Sequence, residues 1–172
     1  MSAEGELVEE FAAELRMLKW SVWIARPNQT SMYFTTSDGR RKAPDVIASR
    51  GASCLVIEAK PRVSDLFRKS GGGISDVESM IELRSSSKRW KELAARLKAR
   101  FGENEAFDAR EPVVGVLAGD GAAYPDLSLP GVFLTIGRLN PSGGFAAVGS
   151  NDVLNFRDAR GMGESAGECP IA

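Results

Sequence analysis

Apolar residues near the start of the chain fall at helical spacing. Leu7, Phe11, Leu15 and Leu18 share one face with Val8 and Ala12 beside them, which predicts an amphipathic helix over residues 5–19 with an acidic opposite face. In residues 20–26, Trp20, Val22 and Ile24 take alternate positions, the period of a strand. Residues 31–36 read as a second strand, ended by the Asp38-Gly39 turn signal. The two are expected to pair as a hairpin. Residues 44–49 and 52–60 follow, separated by a turn at Arg50-Gly51. Leu55, Val56 and Ile57 make the later run apolar on both faces, so that strand is expected to be central and covered on both sides of its sheet.

Residues 61–73, with Pro61 and Gly71-Gly72-Gly73, read as a loop. Ser75 with Glu78 three residues later has the capping-box pattern of a helix start. Met80, Leu83, Trp90, Ala94, Leu97 and Phe101 then hold one apolar stripe along a long helix, which Ser85-Ser86-Ser87 either interrupts or passes through. Two further strands are expected at 112–118 and 131–139, and one short apolar run stands at 145–148 in a glycine-rich stretch. The order is helix, three strands, helix, two strands. This predicts a single α/β domain over residues 1–150 and a polar, flexible C-terminal tail over 151–172.

Composition narrows the chemistry. The chain has 172 residues, 43% hydrophobic and 26% charged, with a formal net charge of -1, the profile of one ordinary soluble domain. No run approaches the roughly 18 apolar residues a bilayer span requires, and the first twenty residues carry five glutamates. A cytoplasmic location and no membrane partner are the expectation. Cys54 and Cys169 have no metal-ligand spacing and are expected to be reduced. Histidine is absent, which excludes Ser-His-Asp hydrolysis, Cys-His thiol chemistry and histidine-bearing zinc sites. No GxxxxGK[ST] loop appears, and Gly71-Gly72-Gly73 lacks the GxGxxG form of a nucleotide-binding turn. Hydrolysis by this chain would therefore run on carboxylates, lysine and a hard metal ion.

One constellation meets that description: Pro44-Asp45 together with Glu58-Ala59-Lys60. Residues two apart on a strand share a face, so Glu58 and Lys60 project together where the apolar run stops. If the strands are neighbours through the Arg50-Gly51 turn, Asp45 comes beside Glu58. Two carboxylates that close repel unless a cation lies between them, and Mg²⁺ prefers oxygen ligands, to which the Ala59 carbonyl would add one. Lys60 beside that cation is expected to have a lowered pKa and to orient or deprotonate a water. The rival reading makes Asp45 a turn residue at a strand edge and Glu58 with Lys60 an exposed surface pair.

These residues resemble the PD-(D/E)xK nucleases, which have the restriction-endonuclease-like fold and include Holliday-junction resolvases and many restriction enzymes. The resemblance implies a three-layer α/β core, a central mixed sheet flanked by helices in αβββαββ order. It implies that Asp45 and Glu58 bind Mg²⁺ or Mn²⁺ and that Lys60 assists the attacking water. It also implies a metal-ligating glutamate on the first helix. Among Glu6, Glu9, Glu10 and Glu14, Glu10 is preferred because it flanks the apolar stripe. Where the family commonly has a glycine before the first strand, Lys19-Trp20 stands here.

Charge is unevenly distributed. Arg40, Arg41 and Lys42 precede Pro44; Arg62, Arg68 and Lys69 follow Lys60; and Arg84, Lys88, Arg89, Lys91, Arg96, Lys98 and Arg100 face only Glu92 in their stretch. These three clusters are the candidate phosphate contacts, with DNA as the expected partner. For the last cluster an ordinary solvated helix face is an equal reading, and Trp20, Trp23 and Trp90 are read as core before base-stacking platforms. The expected function is a Mg²⁺-dependent DNA endonuclease, acting as a homodimer or as a module of a larger assembly. The alternative is an inactive scaffold or nucleic-acid-binding protein on the same fold.

Overall fold

Ser2 starts the first helix, its hydroxyl accepting the Gly5 N–H at 3.0 Å, and Glu4 and Glu6 in the first turn suit the positive end of the helix dipole. The structure, a computed structural model, describes residues 2–26, 32–51, 53–66, 68, 73–101, 112–119, 134–138 and 145–149. Within them run α1 (Ala3–Met17), β1 (Ser21–Ile24), β2 (Phe34–Thr35), β3 (Arg41–Lys42), β4 (Val46–Arg50), β5 (Ser53–Lys60), α2 (Val63–Leu66), α3 (Gly73–Ser85), α4 (Ser87–Phe101), β6 (Val113–Ala118), β7 (Leu134–Arg138) and β8 (Phe145–Gly149). The expected tail over 151–172 lies outside the described residues.

α1 ends in a Schellman turn: Trp20 N–H donates to the Leu15 carbonyl and Lys19 N–H to that of Arg16, each at 3.0 Å. Trp20 and Leu15 are both buried in the cluster below α1, the apolar contact this turn favours. Lys19 takes φ 70° at the left-handed position where glycine is unstrained. Lys19→Gly is therefore expected to stabilise the protein by about 0.5–1 kcal/mol, read as a raised urea midpoint at unchanged slope. A lowered midpoint would mean that the lysine side chain contributes more than the backbone strain costs.

The main sheet has the order β1-β4-β5-β6-β7-β8. β1, β4 and β5 are antiparallel, β5, β6 and β7 parallel, and β8 antiparallel again. It is a mixed sheet covered by α1 on one face and by α3 and α4 on the other. Along β5 the side chains alternate between two cores. Leu55, Ile57 and Ala59 join Leu7, Phe11 and Leu15 of α1, while Cys54 and Val56 join Met80, Leu83, Trp90 and Leu97 of the other layer. The central, doubly covered β5 is what its apolar run predicts, and Trp20, Trp23 and Trp90 are all core.

Three expectations are corrected. Residues 20–26 do not form a hairpin with residues 31–36; β1 pairs with β4, and β2 joins β3 in a separate two-stranded ribbon. Phe34 and Met32 bury against the α3–α4 layer, and Glu92 and Arg89 of α4 bind the Thr35 backbone at 3.3 and 2.9 Å, which holds the ribbon away from the main sheet. The loop after Lys60 contains the single helical turn α2. α3 begins at Gly73, so Ser75 lies inside its first turn and does not cap it. The serine triplet does interrupt the helix, at Ser86.

Candidate functional site

The β4–β5 hairpin turns at Gly51, whose φ of 59° is easy only without a side chain. Its register pairs Val46 with Ile57, so Asp45 stands opposite Glu58 one step on. Asp45 is anchored three ways. Its N–H donates to the Ile57 carbonyl at 3.0 Å, its carbonyl accepts the Ala25 N–H at 2.9 Å, and its Oδ2 accepts the Ala59 N–H at 2.8 Å. The side chain thus takes over the ladder where the backbone pairing ends.

Glu58 and Lys60 lie on the α3 side of β5, the side opposite to Ile57 and Ala59. Glu58 is 2% exposed, which excludes the surface-pair reading. Two ammonium groups meet it: Lys42 Nζ at 3.0 Å from Oε2 and Lys60 Nζ at 3.6 Å from Oε1. Both amines also reach Asp76 in the first turn of α3, Lys42 to Oδ1 at 3.1 Å and Lys60 to Oδ2 at 3.0 Å. Glu58, Lys42, Asp76 and Lys60 therefore form a closed ring of alternating charge. Glu58 Oε2 makes no aligned hydrogen bond; its contact with Lys42 is an ion pair only.

Burial and the neighbouring charge of Asp45 push the Glu58 carboxyl well above the usual carboxylate range. Burial raises Asp45 too, against the opposing pull of the Ala59 N–H and of both lysines. Asp76, although partly buried, is held below its ordinary value by Lys42 and Lys60. Lys60 departs from expectation. Burial disfavours its ammonium, but the hydrogen bond it donates to Asp76 and the charge of Glu58 outweigh that and raise its pKa. Lys42 behaves likewise, with Glu58, Asp76 and Asp45 overcoming burial. Both amines are thus firmly protonated at neutral pH.

A cleft of about 370 Å³ opens beside Asp45, lined also by Glu4, Val8, Glu9, Ala25 and Arg26. Glu9 is paired with Arg26 at 2.5 Å. Glu10 is exposed on α1, and the first-helix glutamate directed toward the cluster is Glu4. Burial, then the charge of Asp45, raises its carboxyl, while Lys60 and Lys42 lower it. Sequence reasoning passed over Glu4 and Asp76. Glu4 was legible by extending the Leu7, Val8, Phe11 stripe back one turn. Asp76 had only the weaker signal of an acid in a helix's first turn.

The basic residues separate by role. Arg40 and Arg41 are exposed on the ribbon, Arg40 paired with Asp38 and Arg41 over the Tyr33 ring at 4.6 Å. Lys42, expected to meet phosphate, instead faces inward into the ring of charges, because strand alternation turns it away from Arg41. Arg62 and Arg68 are exposed and both pair with Asp65. Arg84 ties α3 to the start of β6 through the Pro112 carbonyl at 2.7 Å, and Lys88 is exposed on α4. Lys69 lies outside the described residues.

The donors Asp45 and Glu58 suit a hard divalent cation: two adjacent carboxylates, raised by burial, with one buried oxygen short of a hydrogen bond. Among the described residues no three acidic or thiol side chains are already drawn together around a metal position. No helix of the described residues is long and apolar enough to cross a membrane. No family model matches the chain, and no curated protein matches it.

Proposed function

We propose that this protein is a metal-dependent nuclease hydrolysing phosphodiester bonds in DNA, with a site of the PD-(D/E)xK kind on a restriction-endonuclease-like fold. The observation that carries the reading is the pairing of part-buried Asp45 with buried Glu58 at the ends of adjacent central strands, with the Lys60 ammonium beside Glu58. The path from α1 through antiparallel β1, β4 and β5 and across the helical layer to parallel β6 supports it. Asp45, Glu58 and the Ala59 carbonyl would hold Mg²⁺ or Mn²⁺, with Glu4 taking the place expected of Glu10.

The bound ion would supply Lewis acidity toward a phosphoryl oxygen and a more acidic water. Glu58 and Asp45, which stand at adjacent positions of β5 and the start of β4, would fix the ion's place. Lys60, kept charged by Asp76 and Glu58, acts as a donor: it positions the attacking water and stabilises negative charge on the phosphate, and does not remove a proton. Arg40, Arg41, Arg62, Arg68 and Lys88 stand exposed for backbone phosphates. One site per chain cuts one strand, so duplex cleavage would engage two copies.

The test is cleavage of plasmid and branched DNA with Mg²⁺ or Mn²⁺. Asp45→Ala and Lys60→Ala are each expected to lose about 100-fold or more. A second reading, a silent scaffold on the same fold, is favoured by Lys42, which already supplies Glu58 with a cation. Absence of cleavage with every substrate and ion would select it, and equal nicking by all three proteins would mean contamination and remove the nuclease reading.

A further inference from the structure

We propose that Lys42 is a tethered counter-ion that competes with the divalent cation for Glu58, so that the ribbon carrying it sets how tightly the site takes a metal. This rests on the reading of the site as a metal centre. Each Glu58 oxygen is met by one ammonium, so a divalent cation approaching that carboxylate meets competing positive charge.

Lys42 is the nearer of the two to Glu58, at 3.0 Å against 3.6 Å for Lys60. Its contact is an ion pair without hydrogen-bond alignment, whereas Lys42 hydrogen-bonds Asp76 at 3.1 Å. Lys42 can therefore leave Glu58 and keep Asp76 as its partner. Lys60 is rooted on the central strand itself, two residues from Glu58, and hydrogen-bonds Asp76 at 3.0 Å. Lys42 comes from β3, outside the main sheet, on a ribbon fixed to α4 through Thr35 and through Tyr33, over which Arg96 lies at 4.0 Å. The amine is delivered to the cluster by an element that takes no part in the Asp45–Glu58 hairpin. It is 19% exposed, so water can take it up as it moves.

The experiment is calorimetric titration of the full chain with Mn²⁺, without DNA, on the wild type, Lys42→Met and Lys42→Arg. Methionine keeps the length of the side chain and removes its charge. Because an opposite charge this close alters carboxylate affinity for a cation by one to three orders of magnitude, Lys42→Met is expected to bind Mn²⁺ about tenfold tighter or more. Lys42→Arg should stay near the wild type. Mn²⁺ should also raise the melting temperature of Lys42→Met more than that of the wild type. Should Lys42→Met not fold, Lys42→Gln carries the same comparison. Unchanged or weaker Mn²⁺ binding by the uncharged variant, with the wild type binding, overturns the competition and leaves the metal centre standing. No Mn²⁺ binding by either protein at millimolar ion overturns both.

Discussion

Asp45→Asn is expected to lower the proposed DNA cleavage by about 100-fold or more, while making the metal-free protein more stable at pH 7 by about 0.5–2 kcal/mol. The two effects have one cause. Asp45 is held largely buried opposite Glu58, and burial raises its carboxyl despite the Ala59 N–H. Ionising Asp45 therefore costs the folded state more than it costs the unfolded chain, which solvates the carboxylate better. Asparagine keeps an oxygen for the Ala59 N–H, offers Glu58 an N–H donor and removes the repulsion.

The sign fixes the pH dependence. A carboxyl whose folded pKa is raised contributes its full relative stability below its unfolded value, about 3.9 for aspartate, and loses it as pH rises through the folded value. The stabilisation by Asp45→Asn should thus be present at pH 7 and shrink toward pH 4. Thermal melts in EDTA at the two pH values measure it, at about 2–4 °C per kcal/mol for a chain of this size. A variant less stable than wild type at pH 7 would show that the carboxylate's hydrogen bonds outweigh its burial, and that the pair is structural.

Gly119→Ala is expected to lower cleavage by about 100-fold although residue 119 carries no functional group. Gly119 follows β6, and its N–H lies 3.1 Å from the Pro61 carbonyl and 3.3 Å from that of Lys60. A Cβ added there would stand 2.7 Å from the Pro61 oxygen, which is backbone and cannot rotate out of the way. The end of β5 must shift, taking Lys60 from its place between Glu58 and Asp76. Overpacking of this kind costs about 1–3 kcal/mol. Cleavage measured well below the melting temperature, beside the melt itself, separates displacement of Lys60 from unfolding. Full activity in a destabilised Gly119→Ala would show that the Lys60 position is not what the reaction needs.

Periodicity was enough to place α1 and β5 and to show β5 as the doubly covered strand, because burial on a known face is a property of the local repeat. The Asp45–Glu58 juxtaposition was legible for the same reason: the two residues are joined through one short hairpin whose turn, Arg50-Gly51, is written in the chain. Which strand lies beside β1 was not legible. Residues 31–36 read as a strand as readily as residues 44–49 do, and the choice was made by Phe34 and Met32 burying under α4 and by Glu92 and Arg89 taking the Thr35 backbone.

The sequence by itself determined that any hydrolysis by this chain would have to run without histidine, and it brought Asp45, Glu58 and Lys60 together near the ends of two adjacent strands. Only the tertiary structure decided which groups surround them. Lys42 enters from a separate ribbon, Asp76 from the first turn of α3 and Glu4 from the first turn of α1. Electrostatic partners are chosen by distance through space, and no spacing along the chain records which distant helix end or ribbon will close upon a buried carboxylate.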